Sequence, residues 1–286
     1  MLYLLFAILS SAGIFVCFKY LERFKVDILH AIIINYITAS VCGFLLSNSN
    51  ITFAQIIHQP WFNISFIIGT AFIAAFFIIG RSTQKAGISV TTLASKMSFV
   101  LPMIFSIVFY QEVISTQKII GFVLAISAVL LSIYKNQADT TQRKYLWLPI
   151  LLFFVAGTVD SFVKYAQEEY LTSGGQEIFS TLLFAIAAIS GFVVLIIKKH
   201  NIKELLQAKV LIGGLLLGLV NFGSLHFLIA SLNQSGFDSS VVFSIINIGI
   251  VAISVLIGIG IFREKLNKIN LLGIVLAIIA IFILTN

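Results

Sequence analysis

Residues 177–197, EIFSTLLFAIAAISGFVVLII, form an apolar run about as long as one bilayer crossing. A helix crosses the hydrocarbon core of a bilayer with about 20 apolar residues, whereas a barrel strand needs about 10 that alternate in polarity. The run is therefore predicted to be a transmembrane helix. Similar runs recur along the chain and predict ten spans, at roughly 2–20, 30–47, 62–80, 87–110, 116–134, 146–166, 177–197, 209–232, 237–261 and 268–284.

The composition of the 286 residues agrees with this prediction. Hydrophobic residues make up 59% of the chain, charged residues make up 10%, and the mean hydropathy is +1.08. Soluble domains carry about 25% charged residues, so water-soluble and disordered proteins are both excluded. Ten spans use about 200 residues and leave only short loops. The sequence predicts an all-α polytopic membrane protein without a soluble domain.

The basic residues divide between alternate loops. Of the eighteen lysines and arginines, fifteen follow the odd-numbered spans: Lys19, Arg23, Lys25, Arg81, Lys85, Lys135, Arg143, Lys144, Lys198, Lys199, Lys203, Lys209, Arg263, Lys265 and Lys268. The positive-inside rule places these loops in the cytoplasm and both termini outside. The net charge of +7 is therefore interpreted as membrane topology and not as a sign of nucleic-acid binding.

No pattern typical of an enzyme or of a secreted protein is present in the sequence. Cys17 and Cys42 lie inside apolar runs and offer neither a disulfide framework nor metal-ligand spacing. The N-terminus lacks the basic segment of a signal peptide, so the first run is predicted to be a retained span. There is no phosphate-binding glycine loop, HExxH, GxSxG or cysteine–histidine cluster. We expect no catalytic residue, no cofactor and no metal.

A repeated pattern relates the two halves of the chain. Tyr110-Gln111-Glu112 is followed by Gly121-Phe122-Val123-Leu124-Ala125-Ile126, and Phe262-Arg263-Glu264 by Gly273-Ile274-Val275-Leu276-Ala277-Ile278, with nine residues from Glu to Gly in both. Residues 1–135 and 145–286 therefore look like two copies of a five-helix unit, joined by the polar linker Asn136–Lys144. An odd number of spans inverts the second copy. Inverted repeats are typical of alternating-access carriers, whose site lies near the membrane midplane.

Charged residues inside the spans are the first candidates for that site. Lys96 lies in the middle of span 4, where a charge costs roughly 2.5–3.5 kcal/mol on insertion scales. It could hold a substrate carboxylate or phosphate, or it could belong to a structural ion pair. Asp160 and Lys164 are four residues apart on span 6 and share a helix face. They could pair with each other, or Asp160 could pair with Lys96 in a gate that the substrate opens.

Neutral polar residues in other spans are further candidates. Asn35 lies in span 2, Asn221 and His226 lie in span 8, and Asn247 lies in span 9. Each of them could orient a substrate, although hydrogen bonding between helices would account for them as well.

Pro102 interrupts span 4. It has no backbone N–H, so the carbonyl of Ser98 loses its usual helical donor. We expect this carbonyl to be exposed near Lys96, as in the kinked helices of carriers, with a simple packing kink as the alternative.

Glu112 and Glu264 mark the membrane ends of spans 4 and 9. Their repetition favours a shared structural role, such as capping span 5 or 10 or fixing the helix pair. Spans 5 and 10 carry almost no polar side chain over residues 119–131 and 271–284. These two spans are predicted to be peripheral, facing lipid or forming the contact of a homodimer, and the other eight would line the cavity.

The Glu-to-Gly element, present twice in a ten-span chain of this length, resembles that of the EamA-like transporters of the drug/metabolite transporter superfamily. The resemblance is best over residues 102–121 and 262–273. It implies ten helices in inverted repeats, a central cavity, and export or exchange of amino acids, sugars, other metabolites or nucleotide-linked compounds. The chain departs from the family pattern because span 1 has Ser11-Ala12-Gly13 without the usual tryptophan and span 9 lacks a proline matching Pro102. The substrate therefore stays open.

These patterns together predict a secondary carrier of a small polar or anionic metabolite in a bacterial inner membrane, acting as an exporter or exchanger. Its partners would be the metabolite and the lipid bilayer. The alternative is a permease or flippase component of a larger complex, which would need a partner such as an ATPase. An ion channel is disfavoured, because no filter-like repeat is present in the sequence.

Overall fold

The computed structural model of the chain describes residues 1–46, 56–111, 115–134, 144–171, 175–237 and 239–285. Within these ranges the chain is helical and no strand occurs. The helices are α1 (Leu2–Arg23), α2 (Ile28–Leu46), α3 (Phe62–Lys85), α4 (Ile88–Met97), α5 (Val100–Phe109), α6 (Thr116–Ile133), α7 (Trp147–Tyr170), α8 (Gln176–Ile197), the 3₁₀ helix η1 (Ile202–Leu206), α9 (Ala208–Gln234), α10 (Ser239–Gly260) and α11 (Lys268–Thr285).

These helices coincide with the ten apolar runs. In the described part of the chain, nine helical segments are long and apolar enough to cross a membrane, with α4 and α5 taken together as Ile88–Phe109, and α11 is a shorter apolar helix. A helix satisfies all of its backbone hydrogen bonds internally, as a segment in hydrocarbon must. The predicted all-helical fold of a multi-pass membrane protein is confirmed at this level. The inverted repeat and the orientation of the termini stay predictions.

The contacts divide the chain into two compact units. The first unit comprises Met1–Lys19, Ile78–Thr158 and Gly223–Asn286, and the second comprises Tyr20–Phe77 and Val159–Phe222. Each unit takes segments from both halves of the sequence. The predicted division into residues 1–135 and 145–286 describes a repeat of sequence and stays a prediction.

The helix pair α6–α11, which corresponds to spans 5 and 10, packs closely within the first unit. A Cβ on Gly273 would lie 2.9 Å from the Ala128 carbonyl oxygen and 2.8 Å from the Ser132 nitrogen, so the two backbones touch at this glycine. The buried side chain of Asn270 donates from Nδ2 to the carbonyls of Ser132 (2.8 Å) and Tyr134 (2.7 Å). It thereby satisfies carbonyls at the end of α6 that no helical donor reaches. Spans 5 and 10 thus pack on each other, and their predicted homodimer contact stays a prediction.

The second unit contains another close pair, α2 and α9. Gly214 and Gly218 lie one turn apart on α9, and a Cβ would lie 3.0 Å from the Ala31 oxygen at the first and 2.7 Å from the Asn35 oxygen at the second. Small residues four apart are the usual means by which membrane helices approach closely. On α2, the Tyr36 hydroxyl donates to the Phe72 carbonyl at 2.9 Å, which ties α2 to α3.

Candidate functional site

The α-helical hydrogen bonding of span 4 breaks at Ser98 and Phe99, between the end of α4 and the start of α5, although both residues keep helical backbone angles (φ −59° and −60°, ψ −20° and −16°). Pro102 cannot donate to the Ser98 carbonyl, but the Leu101 nitrogen donates to it at 2.9 Å in a tighter turn. The expectation that this carbonyl is exposed is therefore wrong, because the turn supplies a replacement donor three residues along the chain.

Lys96 lies in the last turn of α4, directly before this break, and its side chain is half-buried. Ser98, two residues later, is fully buried and its hydroxyl donates to the Ser95 carbonyl at 2.6 Å. Lys96 therefore lies next to a serine hydroxyl that already has a hydrogen-bond partner.

Gly157 of α7 packs directly against the break. A Cβ at this position would lie 2.6 Å from the Ser98 carbonyl oxygen and 2.5 Å from Cδ1 of Leu101. Only glycine lets α7 approach so closely, because any larger residue would push the two backbones apart. The break in span 4 is therefore a packed feature of the first unit, with a neighbouring helix shaped to fit it.

The other predicted residues of the first unit lie elsewhere on its helices. His226, on α9, is exposed and its ring lies 5.4 Å from that of Phe227. Asn247 is half-buried on α10.

The second unit contains Asn35, Asp160, Lys164 and Asn221. The side chain of Asn35 is fully buried, and among the described residues neither its Oδ1 nor its Nδ2 has a hydrogen-bond partner. Asn221 is buried on α9, one turn beyond the Gly218 that touches the Asn35 backbone. These two asparagines therefore belong to the same helix pair, α2–α9.

Asp160 and Lys164 lie on α7, where Asp160 is exposed and Lys164 is half-buried. The predicted pair of Lys96 with Asp160 joins residues of different units and stays a prediction.

Glu264 lies in the turn after α10, and its carboxylate caps the start of α4. One carboxylate oxygen accepts from the Ile88 nitrogen, and the other accepts from the Ser89 nitrogen (3.1 Å) and the Ser89 hydroxyl (2.7 Å). A carboxylate at a helix N-terminus satisfies orphan N–H groups and complements the helix dipole. The helix it caps belongs to span 4, whereas the sequence suggested a structural role such as capping span 5 or 10 or fixing the helix pair. Glu112, the other glutamate of the repeat, lies outside the described residues.

Two glycines make room for this carboxylate. Gly87, at the N-cap of α4, has φ 107°, and a Cβ there would lie 2.8 Å from Oε1 of Glu264. A Cβ on Gly258 would lie 2.6 Å from Oε2 of Glu264 and 2.6 Å from the Ser89 hydroxyl. Sequence reasoning singled out Glu264 but missed its hydrogen bonds to Ser89, which lies 175 positions away in the chain.

A second cluster that sequence reasoning missed surrounds His30 in the second unit. The His30 side chain is fully buried, with Nδ1 2.7 Å from Oδ1 of Asp27 and Nε2 3.2 Å from the Asn201 carbonyl oxygen. Glu204 lies 4.0 Å from Nε2, and the His200 ring lies 5.6 Å away. Each ring nitrogen of His30 therefore faces an oxygen acceptor.

Asp27 is the N-cap residue of α2, where its carboxylate also accepts from the His30 nitrogen at 3.1 Å. Burial raises the pKa of the Asp27 carboxyl, but the hydrogen bonds from His30 and the charges of His30 and His200 outweigh burial, and the net pKa lies below its ordinary value. Ligand atoms of Asp27, His30 and His200 lie within 4.8 Å of one another. A metal would have to displace the hydrogen bonds of the His30 ring, so we interpret the cluster as a tie between α2 and the α8–α9 connection.

Comparisons with known proteins show a relative by sequence and a similar solved structure. No family model matches the sequence. A solved crystal structure is similar over 97% of this chain and 95% of its own, with a TM-score of 0.57 and 12% identity, a likeness that concerns the fold alone. An uncharacterized protein of Haemophilus influenzae is 30% identical over 291 residues, which cover 98% of this chain and 96% of that protein. The chain therefore belongs to the same family as this Haemophilus influenzae protein.

Proposed function

We propose that the protein is a secondary transporter that moves a small polar or anionic metabolite by alternating access, as an EamA-like member of the drug/metabolite transporter superfamily. The observation that carries the proposal is the half-buried Lys96 inside span 4, directly before the tight turn at Ser98 and Phe99. A half-buried lysine inside a span is costly and is expected to serve binding or transport.

The backbone supports the inverted repeat on which this mechanism depends. Gln111 and Arg263, the residues that precede the two repeated glutamates, have φ 55° and 53°. Gly87 and Gly236, which follow Gly69 and Gly218 by 18 residues in the two halves, have φ 107° and 74°. Left-handed backbone is uncommon outside glycine, so its recurrence at corresponding positions favours a shared turn geometry in the two copies.

The buried Asn35 amide is a second support for a polar site. An unbonded buried amide costs about 1–3 kcal/mol, which a substrate or a water molecule could offset by hydrogen bonding. In this mechanism Lys96 attracts the negative group of the metabolite, and His226 and Asn247 of the same unit orient it or respond to it. The roles of Asn35, Asp160 and Asn221 in binding stay predictions from the sequence. Rocking of the two repeats would expose the site to each side in turn, in a bacterial inner membrane with both termini outside.

A ligand-stability screen on purified protein tests the anion assignment. Carboxylates, phosphates and cationic amines of metabolite size are added one at a time, and the unfolding temperature is measured for wild type, Lys96→Met and Lys96→Arg. We expect a carboxylate or phosphate compound to stabilise wild type and Lys96→Arg but not Lys96→Met. Stabilisation by cationic amines alone, or an equal response of Lys96→Met, would contradict the assignment. Lys203→Met, which removes an exposed lysine of η1, is the matched control.

The alternative function is a permease or flippase component of a larger complex. It predicts co-purification with an ATPase and no transport by the isolated chain.

A further inference from the structure

The first unit contains a cavity of about 270 Å³ at the ends of α1, α3 and α10 and the start of α4. Its lining comes from three chain segments: Lys19 from the first, residues 84–87 and Val90 from the second, and residues 262–266 from the third. Ligand pockets for drug-sized molecules span about 300–1,000 Å³. This cavity is therefore suited to a compact group rather than a large molecule.

Four basic side chains line this cavity, which we call the basic pocket: Lys19, Lys85, Arg263 and Lys265. Lys19 and Lys85 are half-buried, whereas Arg263 and Lys265 are exposed. The number of basic residues in the loops is enough to set the orientation of the protein in the membrane. Topology does not require them to converge on one concave surface, where like charges repel.

The carboxylate in the pocket is already engaged. Glu264 is part of the lining, but its oxygens accept from Ile88 and Ser89 at the start of α4. It therefore acts as the internal anion of that helix N-terminus, and the four cations outnumber it. No ion pair of Arg263 or Lys265 is present among the described residues, so both remain available to an incoming anion.

Hydrogen bonds to backbone carbonyls hold the walls of the basic pocket in place. Lys19 Nζ donates to the Gln84 carbonyl at 2.9 Å, and Gln84 Nε2 donates to the Phe18 carbonyl at 3.2 Å, which joins the ends of α1 and α3. Opposite, Arg263 adopts φ 53° and the Glu264 nitrogen donates to the Gly258 carbonyl at 2.9 Å. The cationic groups are thus carried on fixed turns, which lowers the entropic cost of binding.

We propose that the basic pocket is a binding site for a phosphate group, carried either by an anionic lipid headgroup or by a soluble phosphate compound. Phosphate matches a pocket of this size, and it accepts hydrogen bonds from arginine in bidentate geometry and from lysine as a point charge. Basic pockets at the ends of transmembrane helices are suited to phospholipid headgroups. This site is separate from the proposed substrate site, because none of its lining residues is among the candidates around Lys96.

The test compares the double variant Arg263→Gln/Lys265→Gln with the matched control Lys199→Gln/Lys203→Gln. Both variants remove two exposed positive charges, and Lys199 has the same φ, 53°, as Arg263. Unfolding temperatures are measured in neutral detergent with inorganic phosphate against chloride at equal ionic strength. In the second arm, the protein is reconstituted in phosphatidylcholine vesicles with or without phosphatidylglycerol.

We expect at least one probe to raise the unfolding temperature of wild type and of the control variant by about 2–4 °C. The double variant should lose most of this shift. A response to phosphatidylglycerol alone identifies a lipid site, and a response to inorganic phosphate alone identifies a site for soluble compounds. Equal shifts in the double variant and wild type, or no shift with either probe, would overturn the proposal. Lys96→Met should keep the response, so failure of the transport proposal would be seen separately.

Discussion

At the scale of single residues, Glu264 shows how one side chain joins two spans that are distant in sequence. Its carboxylate accepts three hydrogen bonds from Ile88 and Ser89. Glu264→Ala should lower the free energy of unfolding by about 1–3 kcal/mol, because the N–H groups at the start of α4 lose their acceptor. Denaturant unfolding in detergent measures the effect. Glu168→Ala, which removes an exposed carboxylate on α7, should change little.

The glycines around Glu264 extend this prediction to a double-mutant cycle. Gly258→Ala places a methyl group against the Glu264 carboxylate and the Ser89 hydroxyl, so it should destabilise the wild-type protein but cost much less in the Glu264→Ala background. Gly260→Ala, two residues later, meets no atom within 4 Å and is the control. Strictly additive effects of Gly258→Ala and Glu264→Ala would contradict the capping geometry.

The lowered pKa of Asp27 predicts a pH dependence of stability. A carboxyl whose pKa is lower in the folded state stabilises the fold above its unfolded pKa, and this contribution is lost as the pH falls through the folded value. Asp27→Asn should therefore be less stable than wild type at pH 7, and the difference should shrink as the pH falls below 3.8, the ordinary value. The titratable groups that act on the Asp27 carboxyl are His30 and His200, and both lower its pKa. A difference that stays constant from pH 7 to pH 3 would refute this assignment.

At the scale of elements, the α6–α11 pair depends on backbone contact at Gly273. Gly273→Ala would place a Cβ 2.8–2.9 Å from backbone atoms of Ser132 and Ala128, which cannot move independently of α6. We expect a loss of about 1–3 kcal/mol in unfolding free energy, as for overpacked cores. Gly260→Ala should be neutral or slightly stabilising, because alanine lowers the conformational entropy of the unfolded chain. In the folded state its Cβ would meet no atom within 4 Å. Equal stability of the two variants would show that the helices separate easily.

The elements also show what a sequence reveals and what it conceals. The ten spans could be predicted, because membrane insertion depends on the apolar content of each run by itself. The break near Pro102 could be predicted as well, but the replacement bond from Leu101 could not, since it depends on how the turn tightens. Asn270 has a local signal, since Asn267 and Asn270 form a reciprocal cap before an apolar run.

The candidate site was less predictable, because its contacts join distant parts of the chain. The sequence singled out Lys96 and Asn35 because they are polar residues inside apolar runs, and Glu264 because it belongs to the repeated Glu-to-Gly element. It gave no sign that Glu264 reaches Ser89 or that His30 bonds the Asn201 carbonyl, 171 residues away. Such partners depend on tertiary packing, which periodicity and hydropathy do not encode.

At the scale of the whole molecule, the proposed function is transport that depends on Lys96. The direct measurement is counterflow in proteoliposomes, with the carboxylate or phosphate compound that best stabilises wild type loaded inside and a labelled trace outside. We expect saturable exchange by wild type, at least a tenfold lower rate for Lys96→Met, and recovery with Lys96→Arg. Exchange no faster than in protein-free vesicles, an unchanged rate in Lys96→Met, or single-channel current steps would contradict it.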